Sequence, residues 1–342
     1  MDIKAAIRQL AQRQDLSEAQ MTQLMRGIMQ GEMTDAQIAA FLVSLQLKGI
    51  CAAELLGATR VMRELVTRVD IVDNGHLVDT CGTGGTGTDT FNISTAAAMV
   101  AACAGAQVAK HGNRGATSKS GSADVLEAAG VKLALHPAQV AECIDEVGVG
   151  FMFAPGHHSA MKHVIGPRKE IGMRTIFNLL GPLTNPASAP NQLLGVNDAQ
   201  WIEVMLDVLA SLGSKHVLIV AAEDGLDEIS ISAATRVGEL HNGQISHYSI
   251  SPEQFGMRRR DGFANLQIGN AQQSLALVRK ALSYEDEDAG DIVALNAGAA
   301  LYAANVEDSI AAGVRRAQQI MKSGAALRKL EQLATFTSGF ED

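Results

Sequence analysis

Leu77-Val78-Asp79-Thr80-Cys81-Gly82-Thr83-Gly84-Gly85-Thr86-Gly87, continuing through Asn92-Ile93-Ser94-Thr95 into the alanine-rich run that ends at Ala104, decides the fold of this 342-residue chain. A short apolar run turns sharply at glycines and a helix start follows at once, which is the opening half of a strand, crossover and strand unit. The alternation recurs downstream. Apolar runs at 107–110, 150–154 and 217–221 are spaced by helical stretches at 94–104 and 122–129 and by a basic stretch around His163. Strands separated by helices pair in parallel, so the pattern predicts an α/β domain built on a mainly parallel central sheet.

The residues before this stretch read as helices only. Ser17-Glu18-Ala19-Gln20 is a capping box, and Met21, Leu24, Met25, Ile28 and Met29 follow on one helical face. A second box, Thr34 to Gln37, opens a helix with Ile38, Phe41, Leu42 and Leu45 inward, and a further helix carries Leu55, Leu56, Met62, Leu65 and Val66. These stripes read as core or subunit contact. The expected division is a helical domain over 1–72 and an α/β domain over 73–342, with turn composition at 70–76. Helical pattern, interrupted by glycines, returns over 289–305 and 309–333, and 284–291 reads as a short solvated acidic loop.

Composition narrows the class. Hydrophobic residues at 47% and charged residues at 19% exclude a disordered or fibrous chain. The net charge of −9, from 28 basic and 37 acidic side chains, argues against nucleic acid or an anionic membrane as partner. Cys51, Cys81, Cys103 and Cys143 form no C-x-x-C pair, so neither a disulfide framework nor a zinc site is indicated. No basic segment leads into an apolar one at the N-terminus and no apolar run reaches the ~18 residues of a membrane span, so the expected location is the cytoplasm.

Four constellations carry chemistry. The Gly82–Gly87 turn with Asn92, Ser94 and Thr95 at a helix start is a phosphate cradle, because glycine lets main-chain N–H groups approach an anion and the helix start adds partial positive charge. It is neither a Walker A loop nor the spaced dinucleotide fingerprint. Lys110-His111-Gly112-Asn113-Arg114, with the small, hydroxylated stretch to Gly121, can wrap oxyanions. His157, His158 and His163 suggest zinc only weakly, whereas Arg168 and Arg174 suit a carboxylate. Asp227-Glu228 after a strand offer the hard oxygens that Mg²⁺ on a diphosphate requires. No triad or carboxylic dyad is found, so no catalytic acid or base is named. Locally the charge reverses: 82–121 carries a net +2 and 162–174 a net +3.

In this order the GTGG loop with FNIST, KHGNR with SKSGSAD, FAP with its histidines, GPRKEIG with RTIFNLLGPLTNP, and GLDEIS resemble the anthranilate phosphoribosyltransferase family over essentially the whole chain. The resemblance implies a fold of nucleoside phosphorylase and phosphoribosyltransferase type: a small helical domain, joined in space by helices from about 160–180, packed on a larger α/β domain. It implies transfer of the 5-phosphoribosyl group from phosphoribosyl pyrophosphate (PRPP) to the amine of anthranilate in tryptophan biosynthesis, with Mg²⁺ as cofactor, inversion at C1, and a homodimer through the helical part. By matching position, Gly82, Thr83, Gly84, Gly85, Thr90, Asn92, Ser94, Thr95, Lys110, His111, Gly112, Asn113, Ser118 and Ser122 would bind PRPP, the 112–121 loop closing over it. Gly82, Asn113, His158, Arg168 and Gly181 would line the anthranilate path, and Ser94, Asp227 and Glu228 would hold Mg²⁺. One position departs from the family: Thr86 stands where its loop usually carries Asp. The alternatives are a pyrimidine nucleoside phosphorylase, which needs no diphosphate-bound Mg²⁺, and a non-catalytic nucleic-acid-binding relative, which needs an exposed basic surface.

Overall fold

Four helices come first in the computed structural model, which describes residues 2–115 and 118–341: α1 (Ile3–Ala11), α2 (Glu18–Met29), α3 (Asp35–Lys48) and α4 (Ala52–Leu65). Both capping boxes form. Ser17 Oγ accepts the Gln20 N–H at 3.3 Å while Gln20 Oε1 accepts the Ser17 N–H at 2.8 Å. Thr34 and Gln37 repeat the exchange at 3.3 and 3.0 Å. The methionine and leucine stripe of α2 is buried, as its spacing predicts.

The chain then enters the sheet. β1 (Leu77–Gly82), α5 (Ile93–Cys103), β2 (Gln107–Gly112), α6 (Ser122–Ala128), α7 (Pro137–Val147) and β3 (Val149–Phe153) come in succession. A short α8 (Ala154–His157), α9 (Lys162–Ile171) and α10 (Phe177–Leu183) lead to β4 (Asn191–Gly195), α11 (Gln200–Ser211) and β5 (His216–Ala222). A hairpin of β6 (Thr235–His241) and β7 (Gln244–Ile250) precedes α12 (Ala271–Leu282), α13 (Glu287–Ala303), α14 (Ile310–Lys322) and α15 (Ala325–Ser338).

The seven strands lie in the order β3-β2-β1-β4-β5-β6-β7. β3 through β5 of that order are parallel, and β6 and β7 are antiparallel. The first three strands progress to one side of β1 and β4 returns on the other, so connections diverge between β1 and β4. In an open α/β sheet that divergence leaves a crevice outside the carboxyl ends of the two strands. Alternation along β5 shows both faces covered: Leu218 and Val220 join one core with α5 and α12 to α15, whereas Val217 and Ile219 join a second with α1 to α4, α10 and α11. The helical bundle is thereby continuous with one face of the sheet. α9 packs on α2 and α3, and α10 on α4.

On the other face α5 and α13 meet through buried alanines, and α13 and α14 cross where Gly298 faces Gly313, each leaving no room for a Cβ. One expectation fails here. The 284–291 stretch is no solvated loop: Asp286 caps α13, and Asp288 and Asp291 hold the buried Arg260, with Asp291 also taking the Tyr284 hydroxyl. Residues 309–333 are helical with the expected glycine interruption, α14 and α15 being parted at Gly324 (φ 72).

Glu239 on β6 accepts from the Tyr302 and Tyr248 hydroxyls at 2.8 Å each and lies 3.2 Å from His216 Nε2. Burial pushes this carboxyl up, but His216 and the two tyrosines outweigh it and hold it at about 2. An unfolded glutamate titrates at about 4.3. Glu239 therefore stabilises the fold fully above that value, and the contribution fades as pH falls toward about 2. In urea unfolding across pH, Glu239→Gln should lie below the wild type at neutral pH and converge with it at the acid end; parallel curves would contradict the assignment.

Candidate active site

The register pairs Gly82 with Gly195, so β1 and β4 end side by side at the crevice. The Thr83 N–H donates to the Gly195 carbonyl at 2.9 Å, which turns the chain out of β1. Gly84 and Gly85 then adopt φ of 60 and 71, left-handed values that favour glycine. Gly84 is held at both ends: its N–H donates to Asp227 Oδ2 at 2.8 Å and its carbonyl accepts from Arg174 Nη1 at 2.8 Å. Arg174 Nη2 reaches Asn197 Oδ1 at 3.2 Å, and the Asn197 N–H reaches Thr83 Oγ1 at 3.3 Å. A Cβ on Gly82 would lie 2.6 Å from Asp227 Oδ2. Thr86 pairs its hydroxyl with that of Thr88 at 2.7 Å, and Thr90 bridges to Gln267.

Asp227 and Glu228 follow β5 on a segment anchored from behind. Buried Asn296 of α13 accepts the Ile229 N–H at 2.9 Å and donates to its carbonyl at 3.0 Å. Asp224 takes the Ser230 and Ser232 hydroxyls at 2.5 Å each. Burial raises the Asp227 carboxyl, opposed by the Gly84 N–H and Arg174. Burial and then the Asp227 charge push Glu228 up to about 8, opposed by Lys110 and the main chain of Ser94. The acids are thus short of positive charge.

Lys110, on β2, is 2% exposed and donates to the Thr80 carbonyl at 2.5 Å and to Ser94 Oγ at 3.2 Å. Burial lowers its pKa, against Asp79, Cys81 and Glu228. Ser94 and Thr95 stand in the first turn of α5, the Thr95 hydroxyl buried without a partner. Lys110, Ser94, Asp227 and Gly84 therefore belong to one cluster at the carboxyl edge.

A second group surrounds the end of β2. Ser122 Oγ donates to the Asn113 carbonyl at 3.4 Å, Ser118 Oγ to the Ser120 carbonyl at 3.3 Å, and a Cβ on Gly112 would overlap the Ser122 hydroxyl. Asn92 joins this group to α5: its Oδ1 accepts from Ser120 Oγ at 2.8 Å and Ser274 Oγ at 2.7 Å, so that oxygen is committed within the protein. Asp124 gathers the loop by accepting the N–H groups of Gly115 and Gly121 at 2.9 and 2.8 Å. Arg114 is spent on Asp124 and Glu127, at 3.1 and 2.7 Å, so the basic run is less available than its sequence indicates. Ala116 and Thr117 of the loop expected to close over PRPP lie outside the described residues.

Of the residues expected on the acceptor side, Gly82 lies in the first cluster and Asn113 in the second, Arg168 stands on Phe177, and His158 and Gly181 gather around His111, itself expected on PRPP. The rings of His111 and His158 stand 5.1 Å apart, both buried, each with Nε2 unpartnered. Burial and the other histidines push His111 down to about 3, opposed by the Gly181 main chain, and burial with His157 pushes His158 down to about 4. Both are neutral at physiological pH. Arg168 stacks on Phe177, its Cζ 5.2 Å from the ring centroid, and has no carboxylate partner among the described residues. A Cβ on Gly181 would meet open space. His157 instead bonds the Thr67 carbonyl at 2.8 Å, away from this group. Asn296 and Asn197 lie outside the motifs, whereas Asp124 closes SKSGSAD but carries no expected role there. Only Asn296 leaves a signal, an amide inside the apolar run Ala294–Ala300 that must find partners.

The chain matches known families over two stretches. Residues 74–327 match the family model described as the glycosyl transferase family a/b domain, and residues 4–66 its helical bundle domain. Over 338 residues the chain is 58% identical to the anthranilate phosphoribosyltransferase of Thioalkalivibrio sulfidiphilus, covering 99% of each. The crystal structure of anthranilate phosphoribosyltransferase from Thermus thermophilus superposes with a TM-score of 0.91 at 40% identity, covering 98% of this chain and 99% of that one. The Saccharomyces cerevisiae enzyme, solved in complex with PRPP and Mg, gives a TM-score of 0.88 at 25% identity, covering 99% of this chain and 98% of that one.

Asn296→Leu keeps the branching and heavy-atom count of the side chain but leaves two buried main-chain groups unpaired beside the acids. It should cost about 2–4 kcal/mol of stability in urea unfolding, and a loss within about 0.5 kcal/mol would contradict the anchoring role.

Proposed function

The chain belongs to the anthranilate phosphoribosyltransferase family, and from that membership we propose that its cleft transfers the 5-phosphoribosyl group from PRPP to the amine of anthranilate, in tryptophan biosynthesis. The products are N-(5-phosphoribosyl)anthranilate and pyrophosphate, with inversion at C1. The observation that carries the reading is the convergence, where β1 and β4 end side by side, of a glycine turn, a helix start, buried Lys110 and two acids short of positive charge. Neither the nucleoside phosphorylase nor the nucleic-acid-binding reading finds support among the relatives.

On the donor side the residues assigned by resemblance hold PRPP through main-chain N–H groups and Lys110. A divalent cation fits the donor set: Asp227 and Glu228 offer hard oxygens, and the burial and Asp227 repulsion that push Glu228 up to about 8 are what such a charge offsets. Asp227, Glu228 and Ser94 would hold Mg²⁺, which when bound neutralises charge on the diphosphate and on the departing pyrophosphate. On the acceptor side the Arg168 guanidinium receives the anthranilate carboxylate in a bidentate grip. Neutral His158 lines the path without adding charge, and neutral His111, assigned to PRPP, stands beside it. An aromatic amine keeps its lone pair free at neutral pH, so these residues act by position and field, with no strong base. The same reading carries the division at 1–72 and 73–342, a homodimer through the helical domain and a cytoplasmic location. Among the described residues no helix is long and apolar enough to cross a membrane.

Loss of anthranilate fluorescence with PRPP and Mg²⁺, beside a nucleoside-plus-phosphate control, tests the reaction directly; signal in the control alone would overturn it. Asp227→Asn combined with Glu228→Gln should lower Mg²⁺-dependent turnover by at least about 100-fold, and near-normal steady-state rates would remove the metal assignment. Arg168→Ala should lower kcat/KM for anthranilate by about 10- to 100-fold, the worth of a charge-assisted pair, whereas unchanged KM and kcat would count against it.

A further inference from the structure

Arg174 lies in the turn between α9 and α10, and the assignment of substrate contacts leaves it without a role. Its backbone is fixed on both sides. Gly172 ends α9 in a left-handed conformation (φ 64), and the Thr175 N–H donates to Asn178 Oδ1 at 3.0 Å. The guanidinium has no carboxylate within ion-pair distance among the described residues; Nη1 is committed to the Gly84 carbonyl and Nη2 to Asn197. We propose that Arg174 is a positioning residue for the donor: it holds the Gly84–Gly85 peptide in the orientation that presents an N–H, not a carbonyl oxygen, to the diphosphate.

The proposal rests on the transferase reading above and follows from peptide geometry. In a trans peptide the carbonyl and the next N–H point opposite ways. With the Gly84 carbonyl tied to Arg174, the Gly85 N–H points away from the guanidinium, and it has no acceptor among the described residues. Gly85 is exposed, so that N–H is open to a ligand. Glycine on both sides makes the peptide cheap to flip, and a flipped carbonyl would repel phosphate oxygens. Asp227 fixes the preceding peptide through the Gly84 N–H, so acid and arginine clamp Gly84 from its two ends. The guanidinium also fills the place of a side chain at 85, where a Cβ would overlap it. Two Nη atoms are needed, because Asn197 ties the arginine to Thr83 across the turn.

Calorimetric titration of full-length protein with PRPP in Mg²⁺ buffer without anthranilate, beside steady-state kinetics and thermal unfolding, tests this on Arg174→Ala and Arg174→Lys. Arg174→Ala should weaken PRPP binding and raise the donor KM by about 10- to 100-fold, while the anthranilate KM stays within about twofold. Arg174→Lys should recover part of the loss, since an ammonium can reach the Gly84 carbonyl but cannot also bridge Asn197. Unchanged PRPP affinity in a folded Arg174→Ala overturns the proposal. So do equal losses toward both substrates that track a lower Tm without recovery in the lysine variant. If Arg174→Ala does not fold, Asn197→Ala carries the same test: a donor-specific loss supports the role and wild-type donor affinity overturns it. Wild-type protein that binds no PRPP and consumes no anthranilate would instead sink the transferase reading and this proposal with it.

Discussion

Everything at the cleft depends on β1 and β4 ending side by side while their connections leave in opposite directions. Parallel strands bring their carboxyl ends to one edge, and the divergence keeps a helix from covering that edge. The loop after β1 and the residues after β4 are then free to meet, as Thr83 and Asn197 do, and the segment after β5 delivers Asp227 beneath Gly84. The helical bundle does not build this edge. It shares a core with the other face of the sheet and sends α9 and α10 toward the cleft with Arg168 and Arg174 at their junction.

Electrostatics explain how an acidic chain can attract an anion here. Lys110 is buried against main-chain carbonyl and hydroxyl, and its charge is answered only at a distance by Asp79 and Glu228. Arg168 and Arg174 lack carboxylate partners among the described residues. By contrast Arg114, Arg260 and Arg316 are all neutralised by nearby acids. Arg114, Arg260 and Arg316 are thus spent on structural pairs, whereas Lys110 and Arg174 keep their charge for the turn and acids at the cleft.

Much of this was legible in the sequence because local chemistry and global fold agree there. The capping boxes of α2 and α3, the strand and turn at 77–87, and the acids at 227–228 need only short-range reasoning. The hairpin of β6 and β7 was overlooked although Asn242-Gly243, both at positive φ, is a strong turn signal between alternating runs. The stretch 284–291 misled because its acids face Arg260, some thirty positions earlier, and composition does not record a partner so distant. The same blindness hid Asn296 and Asn197, whose partners, the Ile229 main chain and the Thr83 and Arg174 side chains, lie far off in sequence.

The small-residue contacts behind the sheet place a different demand on the protein. α5 carries Ser94, α13 carries Asn296, and α14 buttresses α13 where Gly298 meets Gly313. Helices that touch through alanine and glycine have no rotamers with which to absorb an error in spacing. Distances at the cleft are thus fixed by backbone against backbone, and the interior gives up adaptability for dimensional accuracy. A chain built this way has more freedom to vary in the side chains around its rim than in the smallest ones at its centre.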